Sequence, residues 1–499
     1  MIIDVSKFCV AKNASVGAAE AIKQLKYGDT LYFPKNEYHF FKDYSVHKPY
    51  HMTNTDSFVK PEKYFAMLLE GKENITIDGN GSTFVIHGDM CALSLVRCKH
   101  IKLKNFTVRY NAPTNIELTV REKKGLKIIY DLPKSTSFYI NKRDIVFFEQ
   151  SPFTKKNYYE YKNNEQCHCN VIHRNDKVFR TNLSPIKAAI KKKRIGENTI
   201  ECSYLIPPKF KVGDVVAMSR NYLRDNCGIF FWECSDIESS CLTINYMHGF
   251  GWLSQMCENL SFNSIVFKAA DGFATTSFAD LIHICGCKGK VNIDSCFFEH
   301  AHDDAINIHG AFLRLKKIVN SNTAVFEFVH KQQGGYSAFF KGDKVKLYSR
   351  IDLSEIEGIY TVKDYKDNIA DKTVELEFEE KLPDMKPNLI VCENITYNPQ
   401  VTISNCDFRS IPTRGILITT SEESEIFGNR FYSIKMPNIF ISCDCKDWYE
   451  SGPCKNLKIH DNIFSKSDAV LIKPICIGKP VDNVHENIDI YNNTEVCNE

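Results

Sequence analysis

Asp236-Ile237-Glu238-Ser239-Ser240-Cys241-Leu242-Thr243-Ile244 returns 23 residues later as Asn259-Leu260-Ser261-Phe262-Asn263-Ser264-Ile265-Val266-Phe267. Val401-Thr402-Ile403-Ser404-Asn405-Cys406-Asp407-Phe408 returns at the same interval as Ser424-Glu425-Ile426-Phe427-Gly428-Asn429-Arg430-Phe431, and related units stand at 101–106, 291–297, 457–464 and 488–493. Each unit alternates apolar and polar residues and carries Asn, Asp, Ser or Cys at its corner. Alternation at period two marks strands, and recurrence at a fixed interval marks coils that stack to bury a shared core. The reading is an all-β chain, a right-handed parallel β-helix solenoid. A doubly wound sheet would need a crossover helix of about a dozen residues between strands, and few stretches qualify. The clearest helix lies at 15–25, where it can cap the open end of the stack.

Two stretches break the repeat. One turns Lys- and Tyr-rich over 111–222, and a similar texture returns over 311–398 with Lys341-Gly342-Asp343-Lys344-Val345. Both are predicted to be inserted β-barrel-like domains. They divide the chain into a cap with first coils (1–110), an insertion (111–222), catalytic coils (223–310), a second insertion (311–398) and final coils (399–499). The 499 residues carry a net charge of +2, so nothing calls for nucleic acid. The basic run Lys191-Lys192-Lys193-Arg194 reads as a solvated hairpin tip. No stretch is long and apolar enough for a membrane span, and Met1-Ile2-Ile3-Asp4-Val5 is no secretion signal. The expected location is cytoplasmic as written, or secreted or periplasmic if a leader is missing from this sequence.

Twenty cysteines in so long a chain argue against a disulfide scaffold. Cys98, Cys241, Cys296 and Cys406 fall at repeat corners, where a buried thiol stacks as a small hydrophobe. The C-x-C pairs 167/169, 285/287 and 443/445 could take zinc with His168 or Asp444, but no second pair stands at a zinc-site spacing. No metal and no cofactor are expected.

Chemistry concentrates in Glu299-His300-Ala301-His302-Asp303-Asp304-Ala305-Ile306-Asn307-Ile308-His309-Gly310, with Asp280 standing 23 residues before Asp303. Stacked coils lie about 4.8 Å apart, so Asp280 and Asp303 are expected to flank one groove. Two carboxylates there can reach the separation of roughly 6.5–9.5 Å used in inverting glycoside hydrolysis, one protonating the leaving oxygen and one activating water. Strand parity sends Ile306 and Ile308 inward and Asp303, Asn307 and His309 toward the groove. A turn or bulge at Asp303-Asp304 is expected to bring both carboxylates to solvent. A lone Asp pair is usually a solvated turn; the coincidence with Asp280, Asn307 and His309 favours a site.

These residues also resemble a known family. Ala279-Asp280, Asp303-Asp304-Ala305-Ile306-Asn307-Ile308-His309-Gly310, Pro412-Thr413-Arg414-Gly415-Ile416 and Trp448-Tyr449-Glu450-Ser451-Gly452 are similar to the signatures of glycoside hydrolase family 110. The early Ile75-Thr76-Ile77-Asp78-Gly79-Asn80-Gly81 fits its first coils. The resemblance implies an exo-acting, inverting α-1,3-galactosidase, without cofactor, that releases terminal galactose from blood-group-B-like or linear α-galactosyl glycans. It implies Asp303 as general acid, with Asp280 and Asp304 holding the attacking water. Asn307, His309, His302, Arg414, Trp448 and Glu450 are the candidate substrate-binding residues. The partner is a glycan with terminal α-galactose, not nucleic acid or a membrane, and a homodimer is compatible with the reading. The alternatives are a polygalacturonase-like hydrolase, which would want a basic pocket, and a non-catalytic glycan-binding β-helix, which would not need three clustered aspartates.

Overall fold

The computed structural model describes residues 1–10, 13–142, 144–162, 170–219, 224–465 and 469–496. Strands dominate it and form two long parallel stacks that the chain visits in turn. In the first, Lys99–Tyr110, Ser235–Ser240, Glu258–Asn263, Lys288–Asp294 and Gln400–Ser404 follow one another with Ile101, Ile237, Leu260, Val291 and Val401 in register. In the second, Ile229–Trp232, Trp252–Gln255, Ile282–Cys285, the start of Ile306–Asn320, Ile416–Ile418 and Ile439–Ile441 pair in the same order. The result is β-helix-like, and the repeat interval reappears as the pairs Ile237–Leu260 and Ile403–Ile426.

The alternation seen in the sequence fills the space between the stacks. Ile229, Trp252, Ile282, Ile306 and Ile416 are fully buried there. Phe267, Phe298, Phe408 and Phe431 form a ladder with ring centroids 5.1, 4.8 and 4.6 Å apart and nearly parallel ring planes. Burying each such ring removes large apolar area from water, at about 25 cal/mol per Å².

The corners show why small polar residues recur. Ser264, Ser295, Asn405, Gly428 and Asp461 all adopt φ between +53° and +66°, a left-handed conformation that Gly, Asn and Asp reach most readily. One position further on, side chains satisfy the backbone of the neighbouring coil. The Cys406 N–H donates to Asn429 Oδ1 (2.9 Å), Asn429 N–H to Asn462 Oδ1 (3.0 Å) and Asn462 N–H to Asn493 Oδ1 (3.0 Å). Cys296 and Cys406 occupy that inward position and are buried. Cys241 sits one residue earlier, on the left-handed corner itself, and is exposed; the expectation that it stacks inward fails because a one-residue offset carries it out of the core. Cys98, Cys234, Cys257 and Cys287 stack at a second corner, each just before a strand of the first stack, and are buried.

Two antiparallel excursions leave the coils. Between Lys99–Tyr110 and Ile229–Trp232 the chain builds a seven-stranded sheet and a three-stranded sheet over one apolar core. The basic run 191–194 lies on an outer strand of that sheet, Lys191–Gly196, rather than at a hairpin tip; lysines on an edge strand oppose pairing with another chain. Between the coils at 306 and 400, six strands close into a ring. Ile306–Asn320 pairs with Thr323–Glu327 and Ile390–Asn394, and Thr373–Phe378, Glu355–Asn368 and Lys344–Ser349 complete the circuit. The long strand from Ile306 therefore serves both coil and ring.

The helix Ser15–Gln24 packs its buried Ala18, Ala21 and Ile22 against the first coils. Every described cysteine is a free thiol. Cys285 and Cys287 lie buried in the coils, Cys443 and Cys445 lie in a separate apolar cluster, and the 167–169 motif falls outside the described residues. No helix among the described residues is long and apolar enough to cross a membrane.

Candidate active site

Ile282, Ile306 and Ile416 are in register on three adjacent coils. Counting back two residues from each reaches Asp280, Asp304 and Arg414. These three occupy one rank, and their backbones are tied: Leu281 N–H donates to Asp304 O (3.0 Å) and Ala305 N–H to Arg414 O (3.2 Å). The coil before them approaches closely at Gly251 (φ +85°), where a β-carbon would stand 2.0 Å from Asp280 O. Glycine is required there.

This register corrects the pairing read from sequence. The 23-residue interval joins Asp280 to Asp303, but the ladder advances 24 residues at this point and places Asp304 beside Asp280. Asp303 is one residue out of rank and its side chain is 30% exposed. The chain does bend before Ile306, yet the expectation that both carboxylates reach solvent holds only for Asp303. Asp304 is buried because Arg414 absorbs it: Nε and the backbone N–H donate to Oδ1 (2.9 and 3.1 Å), and Nη2 lies 2.8 Å from Oδ2. Asp303 faces Arg224, whose Nη2 donates to its Oδ2 at 3.1 Å while the guanidinium rests over Phe250 at 4.8 Å.

The three carboxylates line one recess. Burial, then the charges of Asp303 and Asp304, push the Asp280 carboxyl well above its ordinary range. Burial also raises Asp304, against the pull of Arg414. Asp280 and Asp304, both raised and facing each other, titrate together rather than singly.

The other candidates divide. Asn307 lies in the recess with a buried Oδ1 that has no partner. Trp448 stands at the rim, 40% exposed, with its ring 4.3 Å from that of His330. Asp444 shapes that loop by accepting the N–H groups of Lys446, Asp447 and Trp448 at 2.7, 2.8 and 2.9 Å. Glu450 lines the recess from within. His309 does not line it: past the first residues of its strand it turns beneath the floor, where Nε2 lies 2.8 Å from His283 Nε2.

His302 is also misplaced by the sequence reading. It precedes the strand, so parity does not govern it, and it points at the first insertion, where Asn115 Nδ2 lies 3.1 Å from its Nδ1. Nearby, His300 meets His173 of that insertion edge to face at 4.8 Å. Burial, with the neighbouring His300 and His302, holds His173 far below the ordinary imidazole range, and burial brings His300 down to about 4. Both stay neutral in the fold, whereas the unfolded chain takes up protons below about pH 6.5. Their contribution is therefore present in full above pH 6.5 and lost as the pH falls toward 4. Thermal scans from pH 7.5 to 4.5 are expected to show a falling midpoint, with a shallower fall for His300→Asn.

Sequence reading missed Arg224, His283, Asn54 and Phe250, all of which line the recess. His283 had a signal, since Asp280-Leu281-Ile282-His283 leads into a strand. Arg224 had only its place at the return from the first insertion, and Asn54 comes from an early loop. A larger recess of about 940 Å³ lies elsewhere, beside Arg409 and Tyr432. Arg409 is there paired with Asp407 at 2.7 Å, and none of the three aspartates reaches it.

No family model matches the chain. Alpha-1,3-galactosidase A of Bacteroides fragilis is 30% identical over 485 residues, covering 93% of this chain and 77% of the relative. Alpha-1,3-galactosidase A of Bacteroides thetaiotaomicron is 31% identical over 476 residues, covering 93% and 81%. Alpha-1,3-galactosidase B of the same organism is 28% identical over 521 residues, covering 99% and 82%. Among solved structures, a family 28 exopolygalacturonase from Yersinia enterocolitica aligns over 99% of this chain and 78% of its own, at 8% identity and a TM-score of 0.27, too loose a match to carry an argument. With such similarity along nearly its whole length, the chain belongs to the alpha-1,3-galactosidase family.

Proposed function

We propose that this protein is an exo-acting, inverting α-1,3-galactosidase of glycoside hydrolase family 110 that releases terminal galactose from α-1,3-galactosyl glycans. The observation that carries the reading is the recess in which Asp280 and Asp304 stand in rank and Asp303 stands one residue apart, solvated. The same proposal includes the right-handed sense of the coil and the division at 111–222 and 311–398.

The roles follow from position. Asp303 is the carboxyl that solvent can reprotonate, so it donates to the glycosidic oxygen as the C1–O bond breaks. Asp280 and Asp304 hold a water whose oxygen attacks C1 from the opposite face and whose proton passes to a carboxylate. Crowding among the three gives a physical cause for one of them to retain a proton. Asn307 and Glu450 are placed to bind sugar hydroxyls, and Trp448 to lie against the ring. A uronate-cleaving reading would need a free cation, but Arg224 and Arg414 are each engaged by an aspartate.

Proton NMR of the reaction with galactosyl-α-1,3-galactose tests this. Early appearance of β-galactose, before mutarotation, is the expected result. Early α-galactose would overturn the inverting assignment, and inertness toward the disaccharide would overturn the activity.

A further inference from the structure

A chain of hydrogen bonds runs from the recess into the protein behind Asp280. Asp280 Oδ2 lies 2.8 Å from His283 Nδ1, His283 Nε2 lies 2.8 Å from His309 Nε2, and His309 Nδ1 lies 2.6 Å from Gly310 O. Both imidazoles are buried. Glu450 Oε1 stands 3.5 Å from His309 Nε2.

The direction of each bond can be worked out. A carbonyl oxygen only accepts, so His309 Nδ1 carries a proton. Between the two Nε2 atoms one must donate. If His309 is neutral, His283 donates from Nε2; burial and the neighbouring His309 and Arg224 keep His283 from taking a second proton, so its Nδ1 is bare and Asp280 must itself be protonated. If His309 is an imidazolium, it donates to His283, whose proton then sits on Nδ1 and points at an Asp280 carboxylate. The two states hold the same number of protons; in the first all three groups are neutral, and in the second His309 is a cation and Asp280 an anion.

Charge placement decides between them. The Glu450 carboxylate faces His309 at the far end, and though burial opposes the charge, Glu450 together with Cys285 and the Gly310 carbonyl brings His309 up to about 10. At the near end burial and the charges of Asp303 and Asp304 push Asp280 up and Arg224 and Arg414 pull it down, so the anion there depends on the N–H that His283 can offer at 2.8 Å. Cys285 and His283 also stand beside His309, and burial with Asp444 and Asp304 raises Glu450 while His309 and Arg414 hold it down. An imidazolium beside a carboxylate, with a second anion stabilised by an N–H donor, leaves no buried charge alone.

We propose that His283, His309 and Glu450 form a positioning relay that holds Asp280 as the carboxylate able to take a proton from the attacking water. The inference rests on the activity proposed above. Each histidine then has its own part, since His309 fixes the tautomer of His283 and His283 supports the anion.

The test has two arms. Long-range proton–nitrogen NMR of the parent protein labelled at histidine reads the tautomers directly, whatever the substrate. Expected are a doubly protonated His309 and a His283 protonated at Nδ1; a His283 proton on Nε2 would overturn the relay while leaving the galactosidase reading untouched. In the second arm, the acidic limb of kcat/KM is compared between His309→Leu, which offers no donor, and His309→Gln, whose amide still donates toward His283. The leucine variant is expected to move the limb up by about one pH unit or more, roughly ten-fold in rate below the limb, with KM little changed. The glutamine variant is expected to keep the parent limb. Adding His283→Asn, whose amide N–H replaces that of Nδ1, is expected to restore the limb in the leucine background. Identical limbs for the leucine and glutamine variants would sink the proposal.

Discussion

Asp303→Asn is expected to lower kcat on galactosyl-α-1,3-galactose by about 10²–10⁴-fold, the range that a positioned general acid supplies. The carboxamide keeps the shape and the contact with Arg224 but has no acidic proton to give to the glycosidic oxygen. An aryl α-galactoside with a strongly acidic phenol needs no such proton, so Asp303→Asn should recover most of its rate on that substrate. Asp280→Asn should not, because the attacking water still lacks its acceptor. The pair of substrates therefore separates acid from base by steady-state kinetics. Equal losses for Asp303→Asn on both would remove Asp303 from the acid role.

The second large effect concerns stability. Arg414 supplies three donor contacts to an Asp304 carboxylate that is almost wholly buried. Arg414→Met leaves that carboxylate without its counter-charge, and losing one partner of a buried pair costs about 3–5 kcal/mol. The thermal midpoint should fall clearly. Adding Asp304→Asn removes the stranded charge, so the double variant should regain much of the midpoint while remaining inactive. If the double variant is no more stable than Arg414→Met alone, the loss arises from packing of the arginine over Phe440 (5.6 Å) rather than from the unpaired carboxylate.

The coils were legible because their signal is local and repeated. Strand alternation at Ile237 and Leu260 names the inward face without knowledge of the partner, and the interval between the two units names the partner. The corner rule was legible for the same reason, since a left-handed residue must be small or polar wherever it falls. It failed at Cys241, where one residue of offset separates the corner from the core. The aspartates were legible as a cluster, but the 23-residue interval chose the wrong member of the pair. Coil lengths differ by a residue at this point, and a one-residue slip turns a side chain to the other face.

Amino-acid order alone was enough for the all-β character, the stacking of coils, the N-terminal helix and the gathering of Asp280, Asp303 and Asp304 into one neighbourhood, because each follows from periodicity or from spacing within the repeat. Tertiary structure was needed to put Asp280 beside Asp304, to bring Arg224 and Asn54 into the recess, to turn His302 toward the first insertion, and to draw His309 under the floor against His283 and Glu450. These depend on where distant segments meet after the insertions have been looped out, and no local period carries that distance.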